Sequence, residues 1–403
     1  MSIKDTFKNK KLIIRILLFV VAFITAVTAF TKGVLSLSKN KEGYQVIDAS
    51  PDEEAILYAN DFTFTYHFTG KSSQIKELRR AITVVYSSAL SRAYKLLDAK
   101  NTYDGFNNLA TINASKGSEV NVGEELYRIL KDSCLKTSER KGYNMFAGPL
   151  YEYVDSILIL EDPEEFDPLN NGDTTKRIDE LVALASKEEY YELRFIDDTE
   201  HTVSFAVSQQ FTEDSVRLEA EEYPVIDLNI LHDAYILEIV CQTLKDAGYT
   251  DGYITSKSGI TYVLSEQKGL EYCIYGLGNA TPSILKTWQG LGSTVISSFK
   301  AFGFGNEAMY YSIKKDGQTI YRNPYIDAVT GKSSDMYLSI YTRRKLENQS
   351  RTGNQGTFPT ADTVFRNLQM WSGLLPASSD DNYATCYVSQ ENTGILCECD
   401  ILH

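Results

Sequence analysis

The chain has only four histidines, at positions 67, 201, 232 and 403, and none has a second histidine at metal-ligand spacing. Histidine-based zinc sites and serine triads are therefore poorly supported, since each needs an imidazole set against further ligands or a nucleophile. No Gly-x-Ser-x-Gly occurs. Basic residues are outnumbered, 40 Lys and Arg against 54 Asp and Glu, for a net charge of −14. That argues against nucleic acid as a partner, because phosphate backbones are held by a basic stripe that releases counterions. Six cysteines in 403 residues are too few for a disulfide-built scaffold. Gly331-Lys332-Ser333 resembles the end of a phosphate-binding loop, but that loop needs a glycine where Ile326 stands.

Long apolar runs are scarce too, and the exception is informative. Ile16 to Phe30 is uncharged and follows Lys4, Lys8, Lys10, Lys11 and Arg15. With Leu12 to Ile14 added and Arg15 snorkelling to the interface, the stretch reaches the roughly 17–25 residues that cross a bilayer. Only Thr25 and Thr28 break its surface, whereas a buried core helix would show a polar face. Residues 12–31 are therefore expected to be a transmembrane anchor after a basic cytoplasmic end, 1–11. A polar tether follows at 32–50, and a folded body at 51–403. A signal cleaved after Ala29 would export the body equally well. Either way the body lies outside the cytoplasm, and the anchor makes it a single-pass protein of the cell membrane. No Cys ends the segment to accept a lipid.

The body has the material for a core: aromatics make up 12 % of the chain, far from a disordered composition. Ile75, Leu78, Ile82, Val85 and Leu90 recur at helical spacing across Ser72 to Leu97, with Ser72 or Ser73 to cap. A second helix follows Asn121, with Leu126, Ile129 and Leu130 inward, and stops at Gly142. Asp162 to Glu192 is charge-rich and reads as an insertion with a helix from Thr174 to Glu192. Asp227 opens a periodic helix through Leu237 and Leu244 that ends at Gly248. The period then becomes two, giving strands over Gly252–Leu264, Glu271–Gly276, Ser293–Phe304 and Met309–Ile320, with a hairpin turn at Asp316-Gly317. Thr360 to Trp371 is helical again, and Tyr383 to Ile401 forms a closing hairpin through Glu391-Asn392-Thr393-Gly394. Cys134 and Cys241 fall on apolar helix positions as core thiols. Cys386, Cys397 and Cys399 sit on the closing hairpin, where the spacing leaves open a cross-strand bridge in an oxidising compartment. Separate runs of helices and antiparallel strands specify an α+β architecture.

Four blocks carry a resemblance to a known family. They are Asn107 to Asn113 with Gly142-Tyr143-Asn144-Met145-Phe146-Ala147-Gly148-Pro149-Leu150, then Asp227-Leu228-Asn229-Ile230-Leu231-His232-Asp233-Ala234-Tyr235, then Asn323 to Gly331, then Ala361 to Arg366. In this order they resemble the FAD:protein FMN transferases, the ApbE-type family. Gly142, Gly148, Pro149, Leu150, Asp227, Leu228, Tyr235, Asp327, Thr330, Gly331 and Asp362 match the family pattern. Asn144 replaces an Asp, Phe146 a Thr, Asn229 and Ile230 two glycines, Asp233 a Lys, Pro324 a His and Arg366 a Thr.

The resemblance implies an exported or membrane-tethered ApbE-type body. It would take FAD as substrate, bind Mg²⁺, and move FMN onto a Thr or Ser of an exported electron-transport protein. By the same resemblance, Tyr235, Gly259, Asp327, Thr330 and Gly331 would meet the cofactor and Asp362 would hold the metal; no catalytic residue is assigned. Arg366 stands one helical turn from Asp362, at the spacing for an ion pair, or would reach Asp233 if the blocks converge. Read without the family, Asp327 is a turn residue and Asp362 a helix-start residue. The alternative to an active transferase is a catalytically degenerate relative acting as a flavin-nucleotide-binding or assembly module.

Overall fold

In the computed structural model of the protein, the described residues are 41–52, 55–265, 269–278, 281–302, 310–346, 358–374, 383–390 and 395–397. The expected anchor at 12–31 lies outside them. Among the described residues no helix is long and apolar enough to cross a membrane.

The first strand, β1 (Gly43–Ile47), pairs antiparallel with β2 (Phe62–Phe68). This corrects the tether, expected to run to residue 50. Only Ile47 of β1 is buried, and Tyr44 and Val46 face solvent, so an edge strand of this kind has little apolar signature. Helix α1 (Ser72–Leu97) has the expected bounds, but its cap residue is Lys71, whose N–H donates to Gln74 Oε1 at 3.1 Å. After the short strand β3 (Glu119–Asn121) come α2 (Gly123–Ser138) and α3 (Gly148–Leu158), the latter with Pro149 in its first turn, where a missing N–H costs nothing. The charge-rich segment folds into α4 (Gly172–Ala185), capped by Asn171 Oδ1, which accepts the N–H groups of Asp173 and Thr174. The helix expected to reach Glu192 stops at Ala185. Tyr191, Leu193 and Phe195 then alternate with exposed Glu192 and Arg194, and this period of two makes β4 (Tyr191–Asp197). Next come β5 (Thr202–Val207), α5 (Gln209–Arg217) and α6 (His232–Asp246).

The second half is mainly strands. β6 (Gly252–Ser256) and β7 (Ile260–Val263) divide what the sequence suggested as one strand, with Gly259 at φ +91° turning the chain between them. β8 (Leu270–Gly278) and β9 (Thr281–Leu291) pair with each other, and β10 (Thr294–Lys300) follows. β11 (Tyr311–Lys315) and β12 (Gln318–Arg322) form the expected hairpin, with Asp316 and Gly317 both at positive φ. β13 (Tyr337–Lys345), α7 (Pro359–Trp371), β14 (Tyr383–Ser389) and β15 (Ile395–Cys397) complete the order.

One antiparallel sheet organises the body, in the order β1-β2-β6-β7-β10-β13-β14-β15. Helices α1, α6 and α7 lie along one face, where Phe64, Val295, Phe299 and Ile340 join Leu237, Val364 and Trp371 in a shared core. The β8–β9 hairpin covers part of the other face, through Ile274, Trp288 and Leu291 against Ile296, Tyr341 and Cys386. Residues 294–299 of β10 are buried without interruption, the pattern of a strand covered on both sides. A satellite core joins α3, α4 and α5 to Ile326 and Ala328. It is locked by the Asp167–Arg322 pair at 2.8 Å, with side chains 0 % and 6 % exposed. The α+β architecture read from the sequence is the observed one.

Candidate functional site

The blocks that carry the family resemblance converge, and main-chain bonds bring them together. Asn113 and the main chain of Ile226 exchange two hydrogen bonds, Nδ2 to O at 3.0 Å and N–H to Oδ1 at 2.9 Å. Asp227 N–H donates to Met145 O at 2.9 Å, and Ala328 N–H to Gly142 O at 2.9 Å. Gly142, at φ +80°, lies so close to the end of α7 that an added Cβ would stand 2.4 Å from Ser372 Oγ. Asn229, in place of a family glycine, still holds φ +40°, and its N–H donates to Asp227 Oδ1 at 2.6 Å. Asparagine is among the few residues that tolerate that region, which is how the loop survives the substitution.

A cleft of about 330 Å³ opens where α2 meets α7, lined by Asp132, Lys136, Asp362, Phe365, Arg366 and Tyr383 among others. Charge in it is tightly paired. Lys136, only 4 % exposed, reaches both carboxylate oxygens of Asp132 at 2.7 Å and Asp362 Oδ1 at 2.8 Å. Arg344 of β13 donates through Nη1 to Asp362 Oδ2 at 2.8 Å. Tyr235 of α6, fully buried, donates its hydroxyl to Asp132 Oδ2 at 2.6 Å. Burial pushes the Asp132 carboxyl above its ordinary pKa, against the opposing pull of Lys136. Glu238, one turn along α6 from Ala234, accepts the Thr360 N–H at 3.0 Å at the start of α7, and burial raises its pKa to about 7.

The other expected residues fall elsewhere. Gly259 sits in the β6–β7 turn, where a Cβ would stand 2.3 Å from Ser298 O. Asp327 Oδ1 accepts the N–H groups of Val329 at 2.8 Å and Thr330 at 2.9 Å, so it is the turn residue that its sequence context offers. Thr330 is exposed, while Gly331, at φ +69°, packs on α4, with a Cβ position 2.7 Å from Ile178 Cγ2. Tyr235 and Asp362 thus share one network, and Gly259 and the Asp327–Gly331 turn do not join it.

Arg366 departs from both expectations. Its guanidinium stacks over the Tyr383 ring at 4.8 Å, and the cations on Asp362 come instead from Lys136 and Arg344. Those two approach from neighbouring elements and take one carboxylate oxygen each, while the i+4 residue of the same helix turns to the Tyr383 ring. Asp233 is also engaged, accepting the Ser258 hydroxyl at 2.7 Å beside His232. Burial works to lower the His232 pKa, but the Asp233, Asp227 and Asp98 carboxylates outweigh it, so the imidazole titrates above its ordinary range. Asp132, Lys136 and Arg344 had not been singled out from the sequence. The i, i+4 spacing of Asp132 and Lys136 was a legible signal for half of that network.

The donor set does not fit a hard divalent cation. Mg²⁺ requires near-octahedral oxygen ligation, whereas the Asp362 carboxylate is divided between two fixed cations. Among the described residues no group of three or more His, Cys, Asp or Glu is placed to hold a metal.

A twisted antiparallel sheet backed by helices, with these motif loops meeting at the end of α7, defines a flavin-transferase-type fold. Two solved structures share it. The ApbE protein of Thermotoga maritima superposes with a TM-score of 0.53 at 12 % identity, over 83 % of this chain and 93 % of that one. The flavin transferase ApbE of Vibrio cholerae does so with a TM-score of 0.50 at 12 % identity, over 83 % and 92 %. No protein-family profile matches the chain, and no curated protein matches it in sequence. The chain therefore has the ApbE-type fold in a widely diverged sequence.

Proposed function

We propose that this chain is a catalytically degenerate relative of the flavin transferases that has kept the fold as an extracytoplasmic binding or assembly module. One observation carries the reading: the carboxylate at the family's metal position is held by Lys136 and Arg344, each at 2.8 Å. A metal entering there must displace Lys136 or Arg344 from a carboxylate that is 29 % exposed, and whichever cation stays repels it. The residues expected at FAD support the same reading. Tyr235, Asp327 and Gly331 are buried in the chain's own packing, and the Gly259 turn is closed by Ser298.

Residues 12–31 would hold the body at the outer face of the cytoplasmic membrane, where an exported flavoprotein is the partner in reach. Protease added to intact spheroplasts should then digest residues 142–403, and full protection would refute that placement. The competing reading is an active FAD:protein FMN transferase, supported by a fold likeness that spans 83 % of the chain. Calorimetry with FAD and Mg²⁺, run beside an assay for AMP release from FAD, separates the two. Degeneracy predicts little Mg²⁺-dependent AMP release and little FMN transfer to a Thr-containing acceptor peptide. Robust turnover by the native chain would establish the transferase.

A further inference from the structure

The charges that spoil the cleft between α2 and α7 as a Mg²⁺ site leave one cation over. The lining carries three carboxylates, Asp132, Asp362 and Glu139, and two cations, Lys136 and Arg366. An ammonium has three N–H donors, and Lys136 spends its own on Asp132 Oδ1, Asp132 Oδ2 and Asp362 Oδ1. Arg344 takes the other oxygen of Asp362 at 2.8 Å, and Lys141 meets Glu139 Oε2 at 3.0 Å. Lys136, Arg344 and Lys141 thus balance the three carboxylates before Arg366 is counted. Among the described residues Arg366 has neither an ion pair nor a hydrogen bond. Its Nε is buried without a partner, and its guanidinium lies over the Tyr383 ring, 4.8 Å from the centroid.

We infer that this cleft binds a small oxyanion, a phosphate or a carboxylate, on the guanidinium of Arg366. The inference rests on the reading of the chain as a binding module and gives that module a class of ligand. A guanidinium offers its N–H groups in a planar fork that matches either oxyanion. A stacked ring meets the face of that fork and consumes none of its in-plane donors, and it holds the side chain in place, so less freedom is lost on binding. With Nε shut in by packing, the two Nη groups are the donors left for a ligand. Asp132 and Asp362, neutralised by Lys136 and Arg344, oppose an anion little. A volume of about 330 Å³ admits a small molecule, and Phe365 and the exposed Leu135 offer apolar surface to whatever carries the oxyanion. A metal site needs free carboxylates, whereas the free charge in this cleft is positive.

The test follows the thermal midpoint of the full chain against inorganic phosphate in one arm and acetate in the other, with ionic strength matched by chloride so that general screening cancels. A saturable rise is expected in at least one arm. Phosphate alone would identify the ligand as a phosphate, acetate alone as a carboxylate, and both as any small oxyanion. Arg366→Gln should weaken the binding about tenfold or more, the loss expected for hydrogen bonds to a charged group. Arg366→Lys keeps the charge without the fork and should fall between the two. Arg194→Gln makes the same change of charge on β4, outside the cleft, and should bind as the native chain does. No saturable rise in either arm, or equal affinity in the native chain and Arg366→Gln, would overturn the proposal. Should Arg366→Gln not fold, native affinity in Arg366→Lys would overturn it instead. The titration contains neither FAD nor Mg²⁺, so its failure is read apart from AMP release, which alone tests whether catalysis has been lost.

Discussion

Replacing Lys136 by methionine isolates the central contact of the site, because it removes the charge while keeping the length of the side chain. Asp132 and Lys136 side chains are 9 % and 5 % exposed, so solvent screens little of their interaction. Without Lys136, Asp132 keeps the Tyr235 hydroxyl, and Asp362 keeps Arg344. Truncating one partner of a buried ion pair costs about 3–5 kcal/mol. With a urea slope of about 3 kcal/mol/M for a body of this size, the midpoint should fall by roughly 1–1.7 M. The loss should depend on pH. The folded-state pKa of Asp132 already lies above its usual value because of burial, and loss of Lys136 raises it further. A carboxyl raised on folding favours the protonated native state, so its contribution is complete below the unfolded pKa and fades as pH rises through the folded one. The variant should therefore be least impaired in acid and most impaired at neutral pH. Magnesium supplies the second readout. Asp132 and Asp362 now face a common space without their shared cation, so Mg²⁺ should stabilise the variant and leave the native protein unchanged. An unchanged midpoint in the variant, or an equal Mg²⁺ effect on both forms, would refute this account of the site.

Three further outcomes follow from other contacts. Asp167→Ala leaves Arg322 buried without its carboxylate and should cost about 3–5 kcal/mol by urea unfolding; a loss under about 1 kcal/mol would mean that water replaces the partner. Gly259→Ala forces a Cβ to within 2.3 Å of Ser298 O at φ +91° and should cost at least about 1–3 kcal/mol, read as a lower thermal midpoint; wild-type melting would place the turn wrongly. Glu238, raised from 4.5 to about 7 by burial, contributes stability that is complete in acid and lost as pH rises towards 7. Glu238→Gln should therefore flatten the pH dependence of unfolding between those values, and an unaltered profile would remove Glu238 as its source.

What the sequence determined by itself was local. Ile75, Ile82 and Leu90 placed α1 to the residue because helical periodicity is a property of near neighbours. Asp316-Gly317 specified its hairpin because the two residues favour the positive φ that the turn requires. The order of the motif blocks pointed to the fold, since each block is a turn or loop written in contiguous residues. β1 escaped notice because an edge strand with one buried residue has almost no pattern to read, and only pairing with β2 makes it a strand. β4 was hidden by the charges that alternate along its exposed side. The site itself belonged to the tertiary structure. Asp362 was legible as a candidate, but the cations that hold it come from 226 residues earlier in the chain and from a separate strand. A helix presents Arg366 to Asp362 by spacing alone, yet which cation wins is decided by which side chains the packed sheet and helices deliver to each carboxylate oxygen.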